Sequence, residues 1–278
     1  MTAINTNVKS LIAQQALTVN NRGLTKTMEQ LSTGKRINTA ADDAAGLAIS
    51  NKMTAQIRGL NQAVRNANDA ISMVQTVEGS LNEVTNMLQR MRELAVQAVN
   101  GTNSQADRTS LNSEYEALDA EISRIASKTT WNGMAVNNAA GSYSFQVGPA
   151  ASDIVAVSFH ALDDDGGTNL SVVASATDMG ISAVVSATSA IGEVDKAIAA
   201  IDAYRSTLGA VVNRLNYAAD NLTNVSTNTA ASRSRILDTD YAAATTELAR
   251  TQIIQQAATA MLAQANQSPS SVLSLLQQ

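Results

Sequence analysis

The strongest constraint in this sequence is a stripe of apolar residues between Ile57 and Ala98. Its members follow one another at alternating steps of three and four residues, with one repeated step of three at Val77. This spacing is typical of a coiled-coil helix with a single phase slip. A continuous helix of this extent is roughly 63 Å long at about 1.5 Å per residue, which exceeds the width of a small globular domain. Asn100-Gly101 follows directly and is a typical helix end.

Two more helices are indicated by similar spacing. A shorter stripe runs from Leu111 to Ile125, with Asp107 in its expected first turn, and a third runs from Ile191 to Val225. Three such helices can close around one another as an antiparallel bundle. We therefore expect a mainly α fold, an elongated antiparallel helical bundle or coiled coil formed by both chain termini.

The middle of the chain, residues 131–187, changes from helical to alternating periodicity. Tyr143–Val147 and Ile154–Phe159 alternate apolar with small or polar residues, and Gly148-Pro149 lies between them. Two alternating runs separated by a Gly-Pro turn predict a β-hairpin with a longer loop. We expect this segment to form a small β-hairpin subdomain.

The two ends of the chain are apolar and poor in charge. No charged residue occurs from Thr251 to Gln278, and only Lys9 is charged before Arg22. Isolated helices of this kind would expose too much apolar surface, so we expect them to pair with each other and with other copies of the chain. The alternative is a hairpin buried within a monomer. The side chains expected to form the assembly core are Ile4, Val8, Leu11, Leu31, Ile254, Met261, Leu262, Val272, Leu275 and Leu276.

Composition excludes several classes of protein. The chain has no cysteine, so it has no disulfide framework, thiol nucleophile or cysteine-ligated metal. A formal net charge of -5 argues against nucleic-acid binding through a general positive field. We expect no membrane insertion, because no apolar run approaches the ~18 residues of a spanning helix. The amino-terminal segment also lacks the features of a conventional secretory signal.

A catalytic or metal-binding constellation is not found in the sequence. The single histidine, His160, could act as a base beside Asp163–Asp165, but a solvated turn is the favoured interpretation. Asp163 to Gly167 resembles the start of a calcium loop but fails, because Ala174 stands where the bidentate glutamate belongs. The charged group Arg90, Arg92 and Glu93 fits either a partner contact or a solvated helix face. We therefore expect a protein that is not an enzyme and has no metal and no cofactor.

Several segments in the amino-terminal and carboxyl-terminal parts of the chain have a distinctive sequence. They are Ile4-Asn5-Thr6-Asn7, Leu31 to Asn38, Asp42 to Ile49, Arg65 to Asp69, Leu88 to Gln97, Arg235 to Ala242 and Val272 to Leu276. Together these segments resemble bacterial flagellin. The resemblance implies an inner terminal coiled-coil domain of residues 1–40 plus 236–278 and a rod-like helical domain of residues 41–235. Within the rod, residues 131–187 would be the β-hairpin and variable solvent-facing portion. The middle is short, so the chain resembles a flagellin that lacks the large outer domains.

The same resemblance implies a function. The chain would be a structural subunit that self-assembles into the flagellar filament for swimming motility, exported unfolded by the flagellar type III system. Its expected partners are other flagellin subunits, the hook-associated and filament cap proteins, and an export chaperone at the C-terminal region. Its expected location is the extracellular bacterial flagellum. The hook-filament junction protein, which has similar ends, is the alternative, and Ser and Thr between Ser142 and Ser189 could carry O-linked sugars.

The resemblance also implies recognition by innate immune receptors of a host. Flagellins bound by toll-like receptor 5 present a stretch similar to Gln89 to Leu94 together with a glutamate on the next helix. The residues at the matching positions are Gln89, Arg90, Leu94 and Glu114. The leucine-rich end that contains Val272, Leu275 and Leu276 similarly resembles the segment sensed by cytosolic inflammasome receptors.

Overall fold

The computed structural model describes residues 7–138, 141–162, 171–177 and 179–276, with side chains described as far as residue 267. The helices of this part of the chain are α1 (Val8–Thr33), α2 (Ala44–Val99), α3 (Gln105–Lys128), α4 (Ser171–Thr177), α5 (Val184–Leu237) and α6 (Tyr241–Leu276). The strands are β1 (Thr130–Trp131), β2 (Met134–Ala135), β3 (Gly141–Gln146) and β4 (Ile154–Phe159). The predicted mainly α fold with a small central hairpin is confirmed.

The long helices begin and end where local chemistry supports it. At the start of α1, the side chain of Asn7 accepts a hydrogen bond from the Ser10 N–H at 3.1 Å. The helix ends at Gly34, whose φ of 69° lies in the left-handed region that glycine adopts without strain. At the start of α3, Ser104 and Asp107 form a reciprocal capping box. Polar caps therefore satisfy backbone groups that the helix itself leaves unpaired.

One compact unit comprises Arg58–Ser226 and contains the main hydrophobic core. The predicted stripe of α2 faces this core: Val74, Leu81, Leu88 and Met91 are all at 0% exposure. α5 runs antiparallel to α2, because Arg92 pairs with Asp195 while the Ser226 hydroxyl donates to Asn61 Oδ1 at 2.8 Å. The buried side chains of α5 that complete this core are Ala187, Ala190, Val194, Ala197, Ile201, Tyr204, Leu208, Val211, Leu215 and Leu222.

The predicted hairpin packs one of its faces on this core. β3 and β4 pair antiparallel with Tyr143 opposite Val157, and Val157 and Phe159 are each 1% exposed. A smaller antiparallel pair, β1 with β2, turns at Asn132 and Gly133, both of which have positive φ angles of 49° and 80°. Positive φ at both central residues is typical of the turn that Asn-Gly favours in tight hairpins. The short helix α4 has no counterpart among the sequence expectations.

The second compact unit comprises Met1–Ile57 and Thr227–Gln278. In it, α1 and α6 pair antiparallel: Asn7 Nδ2 donates to the Ala265 carbonyl at 2.7 Å, and Asn20 Nδ2 donates to the Thr251 carbonyl at 2.9 Å. The predicted pairing of the two termini with each other is thus observed. The boundaries of the units differ from the predicted domain boundaries at 40/41 and 235/236, and the assignment of an inner filament domain stays a prediction.

Candidate assembly surface

The α1/α6 hairpin presents large apolar side chains to solvent. On α1, Leu11 is 55% exposed and Ile12 is 62% exposed. On α6, Ile253 and Met261 are each 65% exposed. We define the assembly surface as the exposed apolar residues of these two helices, which are Val8, Leu11, Ile12, Val19, Met28, Ile253, Ile254 and Met261. A group of this kind is unusual on a soluble monomer and is typical of an interaction site.

The contact between α1 and α6 is narrow and partly polar, which explains why the large side chains lie outside it. The buried residues of the two helices, within their described side chains, are Thr27, at 6% exposure, Ala244 and Thr251. The hydroxyls of Thr27 and Thr251 donate to the carbonyls one turn earlier in their own helices, at Gly23 and Glu247. Small residues with internally satisfied hydroxyls allow close helix approach but bury little apolar area. Two helices alone therefore cannot cover the apolar side chains that they carry.

A groove lies between the two helices near the amino end of α1. It is lined by Lys9, Ile12 and Ala13 on one side and by Met261, Gln264 and Ala265 on the other. At the same end, the Ser10 hydroxyl donates to Asn266 Oδ1 at 2.9 Å. The groove is thus an apolar depression with polar residues at its margin.

At the other end of the hairpin, the loop between α1 and α2 pairs with the loop between α5 and α6. Lys35 and Asp238 form an antiparallel bridge, in which the Arg36 N–H donates to the Leu237 carbonyl at 2.7 Å. The Lys26 ammonium lies 2.8 Å from the Asp42 carboxylate and holds the pKa of that carboxyl well below its usual range. Backbone N–H groups of the same loop donate to Asp42 as well. Charge pairing and backbone pairing together fix where the chain leaves α1 and enters α6.

The structure places the sequence-predicted assembly residues as follows. Val8, Leu11, Ile254 and Met261 are exposed, whereas Leu31 and Leu262 are half-buried. Ile4 and the side chains of Val272, Leu275 and Leu276 lie outside the described residues. Sequence reasoning missed Ile12, Val19 and Ile253, because it followed a single helical stripe and these lie beside it. The signal that would have found them is the density of apolar residues in segments without charge.

A second candidate surface lies where α2 passes α3. Arg90 donates to Glu114 on α3, with Nη2 and Oε1 2.8 Å apart, and to Glu93 one turn along α2. These two carboxylates raise the pKa of the Arg90 guanidinium above its ordinary value. Gln89 is also exposed, so three of the four predicted receptor-contact residues lie at the surface.

Leu94, the fourth of these residues, is buried. Its side chain is 1% exposed and belongs to the hydrophobic core, next to Met91 and Ala95. At this point α2 lies against both α3 and α5, as the ion pairs of Arg90 and Arg92 show. Residues beside the heptad stripe, such as Leu94, are therefore buried as well. A direct contact between this side chain and a receptor is therefore not available in the folded chain.

The described part of the chain shows no cluster of three or more metal-ligating side chains, and none of its helices has the length and apolar character to cross a membrane. The expectation that His160 lies in a solvated turn is wrong. Its ring packs edge-on against Tyr204, with ring centroids 5.0 Å apart, and its backbone N–H donates to the Tyr204 hydroxyl. Burial raises the pKa of Tyr204 to about 12. Asp163–Asp165 lie outside the described residues.

Long helices packed by a heptad stripe, with large apolar side chains exposed on a terminal hairpin, define a mainly α protein that carries an apolar surface. A family profile described as "Bacterial flagellin N-terminal helical region" matches residues 4–139, and one described as "Bacterial flagellin C-terminal helical region" matches residues 191–276. The chain belongs to the bacterial flagellin family. Flagellins are structural proteins, and the prediction of a flagellar filament subunit is confirmed.

Individual relatives agree over nearly the whole chain. The flagellin of Halalkalibacterium halodurans is 45% identical over 275 residues, which cover 98% of this chain and 99% of that one. Polar flagellin F of Vibrio parahaemolyticus is 36% identical over 372 residues, which cover 98% of this chain and 99% of its own. That alignment is longer than this chain, so the Vibrio protein carries additional residues. The chain is a short flagellin, as predicted.

Solved structures show the same fold. The crystal structure of Bacillus cereus flagellin aligns with a TM-score of 0.51 at 33% identity and covers 61% of this chain and 94% of that one. A putative flagellar hook-associated protein from Vibrio parahaemolyticus aligns with a TM-score of 0.61 over 71% of this chain and 100% of that one. At 13% identity, the second likeness shows the fold alone.

Proposed function

We propose that this chain polymerises with copies of itself through the assembly surface of α1 and α6, and that the resulting flagellar filament serves swimming motility. The observation that carries the proposal is the exposure of Leu11, Ile12, Ile253 and Met261 on a hairpin whose own seam is too narrow to cover them. The absence of charge from Thr251 to Gln278 supports the same face, since no charged group there needs to stay hydrated.

Burial between copies supplies the driving force. Each square ångström of apolar surface removed from water contributes about 25 cal/mol, and this must offset the entropy lost when subunits become ordered. Side chains such as Leu11 and Met261 can contribute this area because they are already exposed in the single chain. The monomer would remain folded without partners, because the core around Leu88 is complete within one chain.

A matched pair of substitutions tests the proposal. Ile253→Asn places an amide on the assembly surface, where the isoleucine is 65% exposed, and Ile154→Asn makes the same change on β4, where it is 51% exposed. We expect Ile253→Asn to remain a folded monomer and to raise the concentration needed for polymerisation, whereas Ile154→Asn should assemble like the parent. Seeded polymerisation followed by pelleting and negative-stain electron microscopy measures both.

Two results would contradict the proposal. One is unimpaired filament formation by Ile253→Asn, together with unimpaired assembly by a chain that ends at Arg250. The other is a parent chain that stays monomeric with seeds and precipitating salt although its mass is intact. The second result would favour the hook-filament junction protein, and binding to the ends of isolated hooks and filaments would then be measured.

We infer that the chain leaves the cell unfolded through the flagellar type III system, with a chaperone on its C-terminal region, and that hook-associated and cap proteins flank the extracellular polymer. The apolar surface of α6 supports a need for a chaperone before assembly, since an exposed apolar helix aggregates easily. Cells that lack the export apparatus should retain the chain, while cells that lack the filament cap should release it as monomer. Immunoblots of culture medium and cell pellet would measure this.

A second function is favoured by the contact between Arg90 and Glu114. We propose that Gln89, Arg90 and Glu114 form a surface recognised by toll-like receptor 5 of a host, while Leu94 acts from the core by holding α2 in place. Arg90→Ala and Glu114→Ala monomers should signal more weakly than the parent in receptor-expressing cells, with Arg124→Ala as the control for loss of an exposed arginine. Equal signalling by all four proteins would contradict this assignment.

The role proposed for the chain is structural rather than catalytic. The membership of the flagellin family supports this, since flagellins are structural proteins. We also propose that cytosolic inflammasome receptors sense the leucine-rich end of α6. Replacement of Leu275 and Leu276 by alanine should lower that response while leaving receptor signalling through Arg90 unchanged.

A further inference from the structure

Five of the nine methionines lie at the two extremes of exposure, whereas Met53, Met87 and Met179 are half-buried and Met1 lies outside the described residues. Met73 and Met91 are at 0% exposure in the core of α2. Met28 and Met261 are 55% and 65% exposed on the assembly surface, and Met134 is 39% exposed on β2. A thioether reacts with peroxides in proportion to its access to solvent, so the two groups should differ strongly in reactivity.

Met261 is placed where oxidation would matter most. It lines the groove between α1 and α6, together with Ile12 and Ala13, and the charged residue in that lining is Lys9 on α1. Methionine packs adaptably in apolar contacts because its side chain is unbranched and flexible. Conversion to the sulfoxide adds a strong hydrogen-bond acceptor to the same position. An assembly contact that buries this acceptor without a donor is weakened.

We propose that Met261 is an oxidation site through which hydroperoxides control the assembly of the unpolymerised subunit. The sulfur lone pair attacks one oxygen of the peroxide, a sulfur–oxygen bond forms, and the oxygen–oxygen bond breaks. Sulfur is oxidised by two electrons, the peroxide is reduced, and the leaving oxygen takes a proton to become water or an alcohol. This inference rests on the proposed polymerisation through α1 and α6.

Polymerisation would make the Met261 side chain inaccessible to peroxide. The same side chain that reacts in the free subunit should be protected once a neighbouring copy covers it, whereas Met134 lies outside the assembly surface and should react in both states. Oxidation would therefore act on subunits before assembly and would leave finished filaments largely unaffected. The buried Met73 and Met91 serve as internal standards that should stay reduced throughout.

The experiment treats the purified parent chain with hydrogen peroxide, removes the oxidant with catalase and measures each methionine by peptide mass. Each sulfoxide adds about 16 Da. Seeded polymerisation of the same sample then gives the critical concentration. We expect sulfoxide at Met261, Met28 and Met134 and a critical concentration raised by about tenfold, since an unsatisfied oxygen weakens every copy of the contact.

Three variants assign the effect. Met261→Leu keeps an apolar side chain of similar volume and should assemble normally. With Met28 also replaced by leucine in this variant and in its Met261 control, only the chain that retains Met261 should lose polymerisation after peroxide. Met134→Leu should be as sensitive as the parent. Met261→Gln, which imitates the polar product, should assemble poorly without any oxidant, while its unfolding midpoint in urea should match that of the parent.

Each outcome decides between the alternatives. Normal assembly of parent protein with confirmed sulfoxide at Met261 would overturn the inference while leaving the proposed function intact, as would equal peroxide sensitivity of Met261→Leu. Failure of the untreated parent to polymerise would instead overturn the proposed function. Complete oxidation of Met261 within finished filaments would show that the side chain is not buried by assembly, and this too would overturn the inference.

Discussion

The two compact units of this chain use long helices in opposite ways. In the unit Arg58–Ser226, most of the apolar stripe of α2 is buried within one chain, and Leu81, Leu88 and Met91 are at 0% exposure. In the unit that contains α1 and α6, the buried seam holds threonine and alanine while leucine, isoleucine and methionine face solvent. The first unit has a finished core, and the second has apolar side chains that its own helices do not cover.

This difference explains how a structural subunit can exist in two states. A complete core in one unit gives a stable monomer, whereas an incomplete core in the other gives a reason to associate. Stability of the monomer and affinity between copies are therefore carried by different residues. Substitutions in the two units should separate these properties, and the size of each effect should follow the burial of the side chain that is changed.

The largest effect on the monomer is expected from a leucine in the complete core. Leu88→Ala removes a fully buried side chain and should cost about 3 kcal/mol of unfolding free energy, because transfer and cavity effects add. Leu11→Ala removes a leucine that is 55% exposed and should change the monomer by less than about 0.5 kcal/mol. Urea denaturation of both monomers measures the difference. Similar losses in the two variants would contradict the distinction between the units.

A smaller effect is expected from the buried hydroxyl of Tyr115, which donates to the Ala176 carbonyl at 2.6 Å. Tyr115→Phe should cost about 1–2 kcal/mol, since it leaves a buried carbonyl without its donor. Tyr217→Phe, at a side chain that is 76% exposed, should have no measurable effect on stability. A stable Tyr115→Phe variant would show that another donor reaches that carbonyl.

The same tyrosine gives a pH dependence in the complete core. Burial raises the pKa of Tyr115 to about 12, above its ordinary value of 10.0, so the folded state favours the protonated hydroxyl. The contribution of this hydroxyl to the free energy of unfolding is fully present below pH 10 and is lost as the pH rises towards 12. Denaturation midpoints across that window should fall more steeply for the parent than for Tyr115→Phe, and parallel curves would argue against the assignment.

The exposed ion pair between Arg92 and Asp195 should contribute less than Tyr115. Its closest atoms, Nε and Oδ1, are 2.6 Å apart, but both side chains are about half exposed. A double-mutant cycle with Arg92→Ala and Asp195→Ala should give a coupling energy that disappears at about 1 M salt, where the screening length is ~3 Å. A coupling energy that persists at that salt concentration would show that the pair is less solvated than its exposure indicates.

The smallest effect is expected from Asp42 at the base of the α1/α6 hairpin. Lys26 holds the pKa of this carboxyl below its usual range, so its contribution is present above the ordinary pKa of the unfolded chain and is lost as the pH falls below it. The α1/α6 hairpin of the parent should therefore become less ordered below about pH 4, and this loss should be smaller in Asp42→Asn. Amide exchange of α1 in acid would measure this decline, and an unchanged profile would contradict the role of the pair.

The sequence predicted burial best where a single apolar stripe packs against a single neighbouring element. The stripe from Ile57 to Ala98 predicted the buried side of α2, because steps of three and four place residues on one face of a helix. It did not predict that Leu94 is buried, since α2 packs on more than one neighbour. The extension of α2 back to Ala44 was also missed, because the segment before Ile57 carries no continuous stripe.

The candidate assembly surface was predictable only in part. The charge-free ends indicated that α1 and α6 associate, and the structure shows that they pair antiparallel. Which apolar residues stay exposed depends on how closely the two helices pack where Thr27 and Thr251 are buried. The order of apolar and polar residues in a sequence does not specify how closely two helices pack. Ile12 and Ile253 were therefore not selected from the sequence.

The measurement that tests the central claim most directly is hydrogen–deuterium exchange of the same chain as monomer and as filament. If neighbouring copies complete the core of the α1/α6 hairpin, amides of α1 and α6 should exchange at least about tenfold more slowly in the filament than in the monomer. The ratio of the two exchange rates then reports the free energy of the new contact. Amides around Leu81 and Leu88 should be equally protected in both states, because that core is complete in one chain. Filaments in which α1 and α6 exchange as fast as in the monomer would contradict the account.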